Sequence, residues 1–156
     1  MINHKLYTMC MVEDEDKVLL INRPADRGFP GYIAPGGKVD FPESIVEAAI
    51  REVREETGLI VKDITYKGLD EFCDPVQNLR YMVFNYLATS YEGTLLEHPP
   101  EGELRWVNKC DIDLLPAQDW FKQRAPLFFR AGTFERSLVW DNKNKVLFDE
   151  IFKCYE

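Results

Sequence analysis

The segment from Ser44 to Gly58 constrains this chain more than any other. Ser44 followed by Glu47 three residues on has the form of a capping box. Apolar residues recur at Ile45, Ala48 or Ala49, Ile50 and Val53, tracing one helical face. Gly58 stands where helices commonly end on a left-handed residue, so the spacing predicts a helix over 44–57. Glu52, Glu55 and Glu56 fall at i, i+3 and i+4, which places them together on a face opposite the apolar stripe. Like charges so spaced disfavour a helix by a few tenths of a kcal/mol per pair, which calls for a compensating cation. Arg51 and Arg54 supply part of it, and a hard divalent ion that prefers carboxylate oxygens would supply more.

The flanks read as sheet. Tyr7–Val12 and Val18–Ile21 form a strand pair around the turn Glu13–Asp16. Arg23 to Gly31 reads as a loop, Tyr32–Ala34 as a short strand and Pro35–Gly37 as a sharp turn. Ile60–Phe72 and Arg80–Ser90 read as long strands joined through Asp74–Asn78, and Leu104–Val107 as a short one after the loop His98–Gly102. Leu114–Phe129 holds a helix or two limited by Pro116 and Pro126, and Ser137–Trp140 with Val146–Lys153 make a terminal hairpin. The sum is a mixed sheet with about two substantial helices, an α/β layered domain covering residues 1–156.

Charge narrows the partners. With 19 Lys+Arg against 27 Asp+Glu the formal net charge is −8. That balance disfavours a nonspecific nucleic-acid surface, yet permits a phosphate ligand bridged by a cation. The longest run free of charged residues, Tyr81 to Tyr91, is about half of what a membrane-spanning helix needs, so no membrane partner is expected. The N-terminus shows no long apolar segment of the secretory kind. Cys10, Cys73, Cys110 and Cys154 are widely spaced and form no C-x-x-C pair, which suits free thiols in a reducing, cytoplasmic setting.

Gly37, Glu43, Arg51, Glu52, Val53, Glu55, Glu56, Gly58 and Leu59 keep one fixed register, and over these 23 residues the chain resembles the Nudix box at every specified position. The resemblance implies an α/β/α sandwich with a mixed sheet and hydrolysis of a nucleoside diphosphate linked to another moiety, with Mg²⁺ or Mn²⁺. It implies Glu52, Glu55 and Glu56 as metal ligands together with the backbone carbonyl of Gly37. It assigns Arg51 to orienting the glutamates and Glu43 to anchoring the loop on the helix. Glu101, in Glu101–Trp106, is similar to an acid preceding a tryptophan strand in the MutT branch, with Glu103 as its rival; the catalytic base is one of Glu55, Glu56 and Glu101.

For the rest of a nucleotide, Arg23 and Lys38 are candidate phosphate contacts, and Phe29, Tyr32, Trp120 and Phe121 are candidates for stacking on a base. The length and C-terminal pattern are similar to the branch that cleans oxidised purine triphosphates such as 8-oxo-dGTP. Two positions depart from it: Ile33 stands where the mammalian member has a base-reading asparagine, and Phe121–Arg124 lacks its paired aspartates. The leading expectation is a pyrophosphohydrolase cutting a nucleoside triphosphate to monophosphate and pyrophosphate, acting as monomer or homodimer. The alternative is a pyrophosphatase of ADP-ribose, dinucleoside polyphosphates or nucleotide sugars; a catalytically silent nucleotide-binding module would be expected to have lost box glutamates.

Overall fold

The fold is built around β1 (Asn3–Asp14), whose alternation sends Met9 and Met11 to one face and Cys10 and Val12 to the other. In this computed structural model, which describes residues 1–26, 28 and 30–156, each of those faces seeds a separate core. β1 runs parallel to β7 (Leu79–Ala88) and turns antiparallel into β2 (Lys17–Arg23). β6 (Ile64–Asp74) pairs antiparallel with β7 and parallel with β10 (Thr133–Asp141), which returns as β11 (Val146–Tyr155). β3 (Gly31–Ile33) and β9 (Glu103–Asn108) both pair with β2. The expected mixed sheet is thus present, with the order β11-β10-β6-β7-β1-β2-β3.

The sheet forks at β1. Only Glu13 and Asp14 pair with β2, while Tyr7, Thr8 and Met9 give the same edge to β4 (Gly36–Lys38). The Pro35–Gly37 stretch read as a turn is therefore partly a strand, because Gly36 lets the backbone lie against Thr8. The helix α1 (Ile45–Thr57) closes over this fork on the Cys10 side, packing Ala49 and Val53 against Val12, Leu19 and Tyr86. Its Ser44 cap accepts from the Glu47 N–H at 3.2 Å, and Gly58 closes it at φ 87°. The opposite face is covered by α2 (Asp119–Arg124) and the 3₁₀ turns Lys109–Leu114 and Ala125–Phe129, which bury Phe121 and Phe128 on Met9 and Met11.

Three sequence expectations change. Among the described residues only one helix is substantial, since Pro116 and Pro126 confine α2 to 6 residues. The long strand expected over Ile60–Phe72 splits into β5 (Ile60–Val61), which pairs with β8 (Tyr91–Glu92), and β6. The break falls at Lys62 and Asp63, whose backbone groups bond to Ser90 and Thr89 instead of continuing the ladder. The terminal hairpin is longer than read, because Asp141 ties the turn by accepting from the Lys143 and Asn144 N–H groups.

Candidate active site

α1 presents its acids at the mouth of the fork, but on a gradient of burial. Glu55 is half exposed, Glu52 is mostly covered, and Glu56 is only 8% exposed. This corrects the expectation that all three lie opposite the apolar stripe. Glu56 continues the stripe of Ala49 and Val53 at the i+3 position, so the same packing that docks the helix carries its carboxylate inward. There its Oε1 accepts from the Gly36 N–H at 2.9 Å.

Arg51 organises the remaining acids. Its Nη2 donates to Glu43 at 2.7 Å and to the Lys38 carbonyl at 3.0 Å; its Nη1 reaches Glu52 at 2.9 Å and Glu55 at 3.1 Å. One guanidinium thus ties the loop after β4 to three carboxylates of the helix region. Glu43 also accepts from the Asp40 N–H, and these bonds, Arg51 first, hold its carboxyl below the usual range. Gly37 is required by closeness: a Cβ there would lie 2.5 Å from the Glu52 carboxyl carbon.

From the other side of the fork, Arg23 at the end of β2 faces Glu101 at 3.9 Å. The buried Nε of Arg23 has no hydrogen-bond partner among the described residues. Both residues act on Glu56, Glu101 raising its pKa and Arg23 lowering it. Burial is the largest effect, the Gly36 bond opposes it, and the charges of Glu52 and Glu101 add to it, so Glu56 is pushed up to about 8. Burial likewise lifts Glu52. Glu103 lies one strand position into β9 and is exposed, while Glu101 is the acid that reaches the helix.

Among the described residues no three carboxylates are gathered tightly enough to hold an ion as they stand, because Arg51 engages Glu52 and Glu55. The donor set nevertheless fits a hard divalent cation. Five carboxylates (Glu43, Glu52, Glu55, Glu56, Glu101) share two guanidiniums (Arg23, Arg51), and the oxygen donors border a glycine that leaves the approach open. Glu52, Glu55, Glu56 and the Gly37 carbonyl are the groups that would hold such an ion.

The aromatic candidates separate. Phe29 lies outside the described residues. Phe121 is fully buried and offers no surface for stacking, while Trp120 and Tyr32 are partly exposed at the rim of the Met9 core. Tyr32 holds Arg105 through its hydroxyl at 3.2 Å and under its ring. Lys38 is exposed beside the site. Sequence reading missed an aromatic pair: Tyr7, opposite Lys38 in the β1–β4 register, stacks on Tyr81 of β7 with ring centroids 5.6 Å apart. The alternation of Lys5, Tyr7 and Met9 signalled a common face, but its neighbour from β7 depends on a parallel pairing across the whole domain.

Comparison with known proteins agrees with this geometry. The model of the NUDIX domain matches residues 3–130. YvcI of Bacillus subtilis, described as an uncharacterized Nudix hydrolase, is 38% identical over 113 residues, covering 70% of this chain and 69% of its own. YtkD of the same organism, described as a putative 8-oxo-dGTP diphosphatase, is 51% identical over 111 residues, covering 70% of this chain and 53% of its own. The crystal structure of a MutT protein from Bacillus halodurans superposes with a TM-score of 0.81 at 29% identity, covering 96% of this chain and 97% of that one. With that match spanning most of the chain and the box residues assembled around Arg51 at the fork, the chain belongs to the Nudix family of hydrolases, which act on phosphoanhydride bonds of nucleotides.

Proposed function

We propose that this chain is a Mg²⁺- or Mn²⁺-dependent pyrophosphohydrolase that cuts a nucleoside triphosphate, such as an oxidised purine triphosphate of the 8-oxo-dGTP type, to monophosphate and pyrophosphate. The observation that carries the reading is Glu56: a buried carboxylate held by a backbone N–H, with the acids Glu52 and Glu101 and the basic Arg23 acting on its charge. When bound, a divalent cation neutralises the pyrophosphate, polarises its P–O bonds and makes an attacking water more acidic. Arg51 holds Glu52 and Glu55 in register, and Gly37 keeps the approach to Glu52 clear. Arg23 meets the phosphates with the exposed part of its guanidinium and Lys38 meets them as a mobile charge. The group that accepts a proton from the attacking water is one of Glu55, Glu56 and Glu101, of which Glu56 and Glu101 lie close enough to act on each other's charge.

The Tyr7–Tyr81 stack, with Tyr32 and Trp120 at the rim, provides flat surface for a base next to Lys38. The descriptions of YtkD and of a zebrafish oxidised purine nucleoside triphosphate hydrolase, 32% identical over 123 residues, support the substrate class. No helix among the described residues is long and apolar enough to cross a membrane. A substrate panel read by product tests the proposal. A nucleoside triphosphate yielding pyrophosphate, with the oxidised purine turned over fastest, is the expected result. Exclusive turnover of ADP-ribose, dinucleoside polyphosphates or nucleotide sugars, or release of orthophosphate, overturns it.

A further inference from the structure

β11 is the terminal strand of the sheet, paired on one side by β10 alone. All 10 of its residues are exposed, including Val146, Leu147, Phe148, Ile151, Phe152 and Tyr155 at 45% to 55%. Its outer edge therefore offers a long row of backbone donors and acceptors flanked by apolar side chains. Natural edges of this length are ordinarily blunted by proline, several lysines or a covering loop. Here no proline and a single lysine stand on the strand, with the acids Asp149 and Glu150, and the pairing with β10 is irregular at Val139/Trp140.

The charges on this edge are self-complementary. The pairing with β10 sets Ile151 opposite Ser137, Asp149 opposite Val139 and Lys153 opposite Glu135, so Asp149, Ile151 and Lys153 share one face of the sheet. A second copy laid antiparallel on this edge, with the two-fold axis at Ile151, keeps that face common. It brings Ile151 against its own counterpart and Asp149 of each copy against Lys153 of the other. Lys153 would then lie between Glu135 of its own chain and Asp149 across the axis. Moving the axis to Glu150 opposes two glutamates, and moving it to Phe152 sets Asp149 against Tyr155, so charge selects one register.

We infer that β11 is a homodimerisation strand, pairing antiparallel with β11 of a second copy about Ile151 and joining two sheets into one. Such an interface is isologous and closes on itself, so it produces dimers and no fibres. It leaves the fork between β1, β2 and β4 open, because that fork lies at the other end of the strand order.

Sedimentation velocity across a concentration series tests this with the full chain. The wild type is expected at twice the 18.2 kDa chain mass. Asp149→Lys and Lys153→Asp, which each set like charges face to face, should weaken the dimer by at least about tenfold. The double exchange Asp149→Lys/Lys153→Asp should restore it, and nucleotide hydrolysis should be unchanged in all three. A wild type that stays monomeric at every concentration, a dimer indifferent to both single changes, or a double variant no tighter than the singles would overturn the assignment.

Discussion

Two carboxylates are buried on opposite faces of one sheet, and they are treated in opposite ways. Asp70 of β6, 1% exposed, forms a contact ion pair with Arg124 of α2, and its second oxygen accepts from Asn85 at 3.2 Å. Glu56 of α1, 8% exposed, receives one backbone N–H and is surrounded by Glu52 and Glu101. The first site is complete in the folded chain. The second is pushed toward its protonated form at neutral pH by burial and neighbouring acids, a cost that a structural position would not retain. Burial with a dedicated cation marks a brace, whereas burial among like charges marks a site awaiting its counter-ion and substrate.

The comparison breaks most sharply at activity. Glu56→Gln keeps the shape and the Gly36 bond but removes the charge, and should lower the metal-dependent rate about 10³-fold or more with the fold intact. Glu55→Gln should also cost orders of magnitude, while Asp70→Asn should leave kcat nearly unchanged in whatever protein remains folded. Near-normal turnover in both glutamine variants would remove Glu56 and Glu55 from the chemistry.

Stability should show the reverse. Arg124→Met strands Asp70 in the core and should cost about 3–5 kcal/mol in urea unfolding. Pairing it with Asp70→Leu should recover most of that loss, since a well-packed apolar pair has no charge to desolvate. Glu56→Gln without metal should raise stability at neutral pH. A loss there would mean that Glu56, too, is a brace.

The pH dependence sharpens the same contrast. Glu56 has its ordinary value of 4.5 when unfolded and about 8 when folded, so the folded state binds its proton more tightly. Its contribution is complete below 4.5 and is lost as pH rises through 8. In EDTA the unfolding free energy should therefore fall by on the order of 5 kcal/mol across that window. Glu56→Gln should flatten the slope, and Mg²⁺ should reduce it by stabilising the ionised carboxylate. Thermal melts in EDTA from pH 5 to 9 measure this directly.

What was legible in the sequence follows the same physics. The box could be read because its register is fixed by local geometry: Gly37 must admit Glu52, Arg51 must reach Glu43 and two turns of the helix, and Gly58 must turn left-handed. Each constraint acts within a few dozen residues. The burial of Glu56 was half legible, since Ala49, Val53 and Glu56 share a stripe, but charge suggested the outer face and only docking against Gly36 decides. The Asp70–Arg124 pair and the Tyr7–Tyr81 stack rest on contacts between distant segments that no periodicity announces. The break at Lys62 and Asp63 was hidden because its cause lies in Thr89 and Ser90.

The smallest expected effect concerns the base. Tyr7 and Tyr81 stack face to face at an interplanar angle of 21°, with Lys5 above Tyr81 and Lys38 opposite Tyr7. A flat ring laid on Tyr7 would extend this stack next to the phosphate contacts, whereas nothing in it touches the box glutamates. Tyr7→Leu keeps an apolar side chain of similar reach on β1 and removes only the aromatic face. If the pair receives the base, KM should rise about fivefold, the value of one aromatic contact near 1 kcal/mol, with kcat preserved. Tripolyphosphate, which has no base, should be indifferent to the change. An unchanged KM for the nucleotide would move the base to the Tyr32 and Trp120 rim, while a fall in kcat alone would mean that the strand has shifted Gly37 and, with it, Glu52.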